Sequence, residues 1–184
     1  NLFEKNRKIK GESTTSYMYY DSFISNIKAN FEYSPKFIFV LRNPVDRYIS
    51  HVNWLKGLGL EKKDVNQVIS DDDWANFSEY DDYPKQYYQF GLYNKWITRF
   101  IKNFGKKNIK IITFEQLISD RLKTLNSCYE FLGVEKVDNL KFIRSNKSKK
   151  IVFPSIYHFL RKSSLGKTKW TKIVSQIKFF LPPC

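Results

Sequence analysis

The chain has 184 residues, 42% of them hydrophobic and 17% aromatic, which is the composition of one globular domain with a genuine core and lies well away from that of a disordered chain. Lys and Arg number 32 against 18 Asp and Glu, a net charge of +14, so an anionic partner (nucleotide, nucleic acid, acidic glycan or membrane surface) competes with a simple lysine-rich surface. No apolar run reaches the roughly 18 residues of a membrane span, and NLFEKNRKIKGES at the start lacks the apolar core of a signal peptide.

The first predicted element is a short helix through Asn30, capped by Asp21 and carrying Phe23, Ile24, Ile27 and Phe31 on one face. SPKFIFVL then begins as a turn and becomes a continuous apolar run, the pattern of a strand buried on both faces of a parallel sheet. Pro44 fits the first turn of the next helix, where Val45, Tyr48, Ile49, Val52 and Leu55 form an inward stripe. KGLGLEKK breaks that helix, DVNQVIS predicts one or two helical turns, and SDDDWANFSEYDDY reads as a long acidic surface loop.

A helix is expected from about Tyr87, with Tyr93, Ile97, Phe100, Ile101 and Phe104 on one stripe and Gly105 as its stop. NIKIITF is a second buried strand, and DRLKTLNSCYEFL an amphipathic helix with Leu122, Leu125, Tyr129 and Leu132 inward, ended by Gly133. RSNKSKK is a basic loop, and two short helices follow Pro154. The order strand, helix, helix, strand, helix is that of an α/β fold with a parallel β-sheet flanked by helices, in one domain over residues 1–184. Cys128 and Cys184 offer no disulfide framework; Cys128 is expected to be a small buried hydrophobe, with a reducing compartment as the default.

In open parallel sheets ligands bind beyond the carboxyl ends of the strands, and Arg42 occupies such an end, directly after Leu41. The helix beginning at Pro44 is expected to offer free N–H groups and a positive dipole end to an anion. Ser50 falls on the flank of that helix beside Asn43, Asp46 and Arg47, so Arg42 and Ser50 together suit one phosphate. The competing reading has Arg42 pair with Asp46 or cap a helix and leaves Ser50 an ordinary helix serine.

FIFVLRNPVDRYIS resembles the 3′-phosphate-binding segment of sulfotransferases that use 3′-phosphoadenosine 5′-phosphosulfate (PAPS): an apolar strand, Arg-[DN]-Pro-x-[DE]-Arg, and Ser eight residues after the first Arg. GESTTSYM at 11–18 is similar to the family's G-E-x-S-P-S-Y segment, and GLYNKWITRFIKNFGKKNIKIITFEQLISD with SCYEFLGV resembles a later stretch. The resemblance runs over about residues 11–150 and favours the branch acting on carbohydrates and other small hydroxyl acceptors. It implies a P-loop-NTPase-like sulfotransferase fold, PAPS as cosubstrate with its bisphosphate PAP as product, and no metal.

By resemblance Arg42 and Ser50 bind the 3′-phosphate, and Lys147, Ser148 and Lys149 lie where the family closes a basic loop over the nucleotide. The family's other phosphate site, a strand–loop–helix with a K-x-G-[ST]-[ST] core, has no match here, and the tail beyond the basic loop is short. The chain is therefore expected to be an internal piece of a sulfotransferase. Glu12 is the candidate base for a hydroxyl or amine acceptor, against a purely structural hydrogen-bonding role. Glu115 is expected to accept N–H bonds at a helix start, and His51 to be structural. Trp54, Trp74 and Tyr80 are candidates to stack on a sugar.

Neither His51 and His158 nor the aspartates at 71–73 and 81–82 have the spacing of metal ligands. A nucleic-acid-binding basic module is a rival suggested by charge, but the aromatics fall on core stripes instead of alternating with Arg, so no nucleic-acid partner is expected. A non-catalytic remnant that keeps the 3′-phosphate site is the other rival. A bacterial-type enzyme is expected in the cytoplasm; a eukaryotic parent would work in the Golgi lumen behind an anchor outside these residues.

Overall fold

The structure, a computed structural model, describes residues 10–72 and 85–139. They form two compact units: one holds 10–42 and 92–139, the other 43–72 and 85–91. The expected elements in the stretches at 73–84 and 140–184, including the acidic loop, the basic loop and the helices after Pro154, lie outside the described residues.

In the first unit, α1 (Asp21–Asn30) precedes β1 (Phe37–Leu41), and α4 (Tyr93–Phe104) leads to β2 (Ile109–Thr113), α5 (Phe114–Ser119) and α6 (Arg121–Leu132). The two strands pair in parallel, Phe37 opposite Ile109 through Leu41 opposite Thr113. This is a mixed α/β arrangement with a parallel sheet flanked by helices, as expected from two apolar runs each bounded by helical patterns. Phe39, Ile24, Ile97, Phe100 and Phe104 form the core, with Phe23, Phe37 and Leu41 packed against them. Ring centroids of Phe37 and Phe39 lie 5.1 and 5.0 Å from Phe100, both edge-on, the favoured aromatic geometry. Ile112, one residue on from the Ile111 that pairs with Phe39, points to the other face and is also buried.

Helix ends follow local chemistry. Gly133 ends α6 in the left-handed region at φ 77°, a conformation costly for any residue with a Cβ, and the Val134 N–H closes on the Tyr129 carbonyl at 3.0 Å. Asp120 caps the start of α6 through the Lys123 N–H. Its buried residues are Thr124 and Cys128, as expected for the cysteine, whereas Leu122, Leu125, Tyr129 and Leu132 are half-buried. At α1 the expected cap is absent: Tyr20 takes the cap position, and the Asp21 carboxylate is instead paired with the Arg99 guanidinium.

The second unit contains α2 (Pro44–Gly57) and α3 (Val65–Asp71), followed by the segment 85–91. Val52, Leu55, Val68 and Tyr87 make its core. The expected α2 stripe is only partly inward. Val45 is 66% exposed and Ile49 39%, because the helix turns the Tyr48, Val52 and Leu55 side to its core and these two lie on the next face round. The expected helix start near Tyr87 is also corrected. Residues 89–91 form a short 3-10 turn and α4 begins only at Tyr93, because Tyr87 is committed to the second core at 2% exposure.

Candidate phosphate-binding site

Arg42 follows the last residue of β1 and is half-buried. The Tyr93 hydroxyl donates to the Arg42 carbonyl at 3.0 Å, and the guanidinium carbon lies 5.3 Å from the centre of the Phe114 ring. No carboxylate of its own unit pairs with it among the described residues.

Ser50 lies exposed on α2, in the second unit. The hydroxyls of Ser25 and Ser70 return to carbonyls four residues back, and those of Ser119 and Ser127 to carbonyls three back. Ser50 makes no such bond among the described residues, so its hydroxyl is not spent on its own helix.

The helix start itself differs from expectation. Asn43 Oδ1 accepts the Val45 N–H at 3.0 Å and the Asp46 N–H at 3.3 Å, Pro44 has no N–H, and the Arg47 N–H binds the Asn43 carbonyl at 2.9 Å. The first turn of α2 is thus satisfied internally and carries the Asp46 carboxylate. Backbone amides do not present themselves for an anion there. Recognition falls to side chains, with the helix dipole as background. Arg47, the second arginine of the motif, is structural: its guanidinium donates to the Tyr87 carbonyl and lies against Gly91.

His51 is stacked on Phe90, with centroids 5.9 Å apart, and meets Tyr87 edge-on at 4.8 Å. Burial and then the nearby Arg47 charge lower its pKa to about 4, so it is neutral at pH 7 and sits in a ring cluster. Beside it, Glu61 is 8% exposed and receives the Lys62 and Lys63 N–H groups at 2.8 and 3.1 Å, the Tyr87 hydroxyl at 2.9 Å and the Lys85 ammonium at 3.2 Å. Burial alone would raise its pKa; these donors outweigh burial and pull it down to about 2.

The other expected residues fall as follows. Glu12 is exposed and accepts the Thr14 hydroxyl at 2.6 Å. Glu115 lies in the first turn of α5, whose cap is Thr113 in a reciprocal box with Gln116, a T-x-x-Q signal present in the sequence. Asp71 pairs with Lys63 at 2.7 Å, and Asp72 accepts the Tyr88 N–H at 2.9 Å. Among the described residues no three His, Cys, Asp or Glu side chains converge as a metal-binding group. Trp54 is exposed on α2; Lys147, Ser148, Lys149, Trp74, Tyr80, His158, Asp73, Asp81 and Asp82 lie outside the described residues. A shallow pocket of about 150 Å³ opens among residues that include Phe31, Tyr33 and Asn103, at the amino end of β1 and so away from Arg42. No helix among the described residues is long and apolar enough to cross a membrane. From sequence, Tyr93 has only a place on a helical stripe and Phe114 only the end of a strand; in the structure both contact Arg42.

The model of the sulfotransferase domain matches residues 14–177. No curated protein matched the chain. Among solved structures, a sulfotransferase from Alicyclobacillus acidocaldarius superposes with a TM-score of 0.58 at 26% identity, over 66% of this chain and 48% of that one. The chain thus spans about half the length of that solved relative. With the family model covering most of its residues and the carboxyl-end arginine in place, the chain belongs to the sulfotransferase-domain family.

Proposed function

We propose that this chain carries the 3′-phosphate half of a PAPS site and serves sulfuryl transfer to a hydroxyl or amine of a carbohydrate or other small molecule. The supporting observation is the setting of Arg42. A half-buried guanidinium at the carboxyl end of a parallel strand, with no carboxylate partner in its unit among the described residues, suits a bidentate contact with phosphate oxygens. The Ser50 hydroxyl, unspent on its helix, supplies a further donor to the same phosphate. Lys147, Ser148 and Lys149 complete the proposed nucleotide contacts.

When bound, PAPS would supply an activated sulfuryl group, its sulfur–oxygen bond to the phosphate breaking to leave PAP as a bond from sulfur to the acceptor oxygen or nitrogen forms. The chain's share is binding and orientation: Arg42 and Ser50 fix the nucleotide end, which positions the reacting end without covalent participation. Glu12 is the candidate to take the acceptor proton; the Thr14 hydroxyl engages its Oε1, and Oε2 is a second oxygen that can take the proton. Calorimetric titration of the 184-residue chain with adenosine 3′,5′-bisphosphate and with adenosine 5′-monophosphate tests the reading. The 3′-phosphate should tighten binding by about tenfold or more, one charge-assisted contact. Equal affinities would sink it.

A further inference from the structure

Because Leu41 lies opposite Thr113, the next residues along the two strands, Arg42 and Phe114, leave the sheet side by side. The chain is fixed there by the box at the start of α5: Thr113 Oγ1 accepts the Gln116 N–H at 3.1 Å, and Gln116 Oε1 accepts the Thr113 N–H at 3.0 Å. Phe114 is thereby set as the first residue of α5, 40% exposed, with its ring 5.3 Å from the Arg42 guanidinium carbon. On the main-chain side, the Tyr93 hydroxyl holds the Arg42 carbonyl.

An arginine side chain can be oriented by a carboxylate or by an aromatic face, with different consequences. A carboxylate neutralises the charge and occupies the N–H fork. A ring beneath the guanidinium plane leaves the in-plane N–H donors and the charge for a ligand. We propose that Phe114 is a positioning residue: its ring holds the Arg42 guanidinium in a ligand-ready orientation, while Tyr93 anchors the main chain. This inference rests on the reading of Arg42 as a phosphate ligand.

The test is a double-mutant cycle in the 184-residue chain, read as affinity for adenosine 3′,5′-bisphosphate. Phe114→Leu should weaken binding about three- to fivefold and leave the thermal midpoint nearly unchanged; Phe114→Tyr, which keeps the ring face, should bind like the parent. On an Arg42→Ala background, Phe114→Leu should have no further effect. Unchanged affinity in Phe114→Leu, with Arg42→Ala still weakening binding, would overturn the positioning role and leave the phosphate reading standing. The same loss on both backgrounds would also overturn it, because Phe114 would then act other than through Arg42. No binding by the folded parent would remove the phosphate reading and this inference with it.

Discussion

In the first unit the main core cluster is aliphatic and aromatic, with Phe37 and Phe39 edge-on to Phe100, and Phe104 tilted against Phe37 and Phe100, beside Ile24 and Ile97. In the second, Val52, Leu55 and Val68 share a smaller space with a four-donor carboxylate, Glu61, and a neutral imidazole, His51. The contrast reflects what each segment had available. Two strands and a long amphipathic helix bury apolar surface on their own, whereas α2, α3 and the 85–91 segment need hydrogen bonds that pin loops to the core. Stability in the first unit therefore depends on shape, and in the second on protonation as well.

The sharpest way to break the comparison is in the aromatic core. Phe100 is 1% exposed at the centre of the ring cluster, and Phe100→Ala should cost about 3–5 kcal/mol in a urea denaturation series. Acidification should act on the other unit. The folded-state pKa of His51 is lowered from 6.5 to about 4, so its contribution is complete above pH 6.5 and is lost as pH falls toward 4. Glu61, lowered from 4.5 to about 2, holds its contribution above pH 4.5 and loses it below. Amide protection, taken relative to the intrinsic exchange rate at each pH, should fall in α2 and α3 between pH 6.5 and 4 while that of α4 holds; uniform loss across both units would contradict the division. The smallest effect is at the α2 cap, where Asn43→Ala should lower stability by about 1 kcal/mol, read as a shift in thermal midpoint.

The parts legible in the sequence were those set by local pattern. FIFVL and NIKIITF declare strands by unbroken apolar character, but not burial on both faces, since Val40 and Ile111 are 54% and 46% exposed; Gly105 and Gly133 mark helix ends because positive φ favours glycine. Arg42 was legible as a strand-end cation for the same reason. What escaped depends on partners far along the chain. Glu61 meets Tyr87 across 26 residues, and no local spacing announces that bond, which holds Tyr87 in the second core ahead of α4. The register that sets Phe114 beside Arg42 likewise exists only once the strands pair. The capping of α2 is a different case: N-P at the helix start carried the signal that Asn43 would take up the amides, and it was outweighed by the expectation of an anion there.

The most direct test of the central claim is the nucleotide selectivity of the chain with and without Arg42. The parent should prefer adenosine 3′,5′-bisphosphate over adenosine 5′-monophosphate by about tenfold or more, and Arg42→Ala should erase that preference while leaving binding of the monophosphate nearly unchanged. A preference that survives Arg42→Ala would show that the 3′-phosphate, if it is bound at all, is held elsewhere.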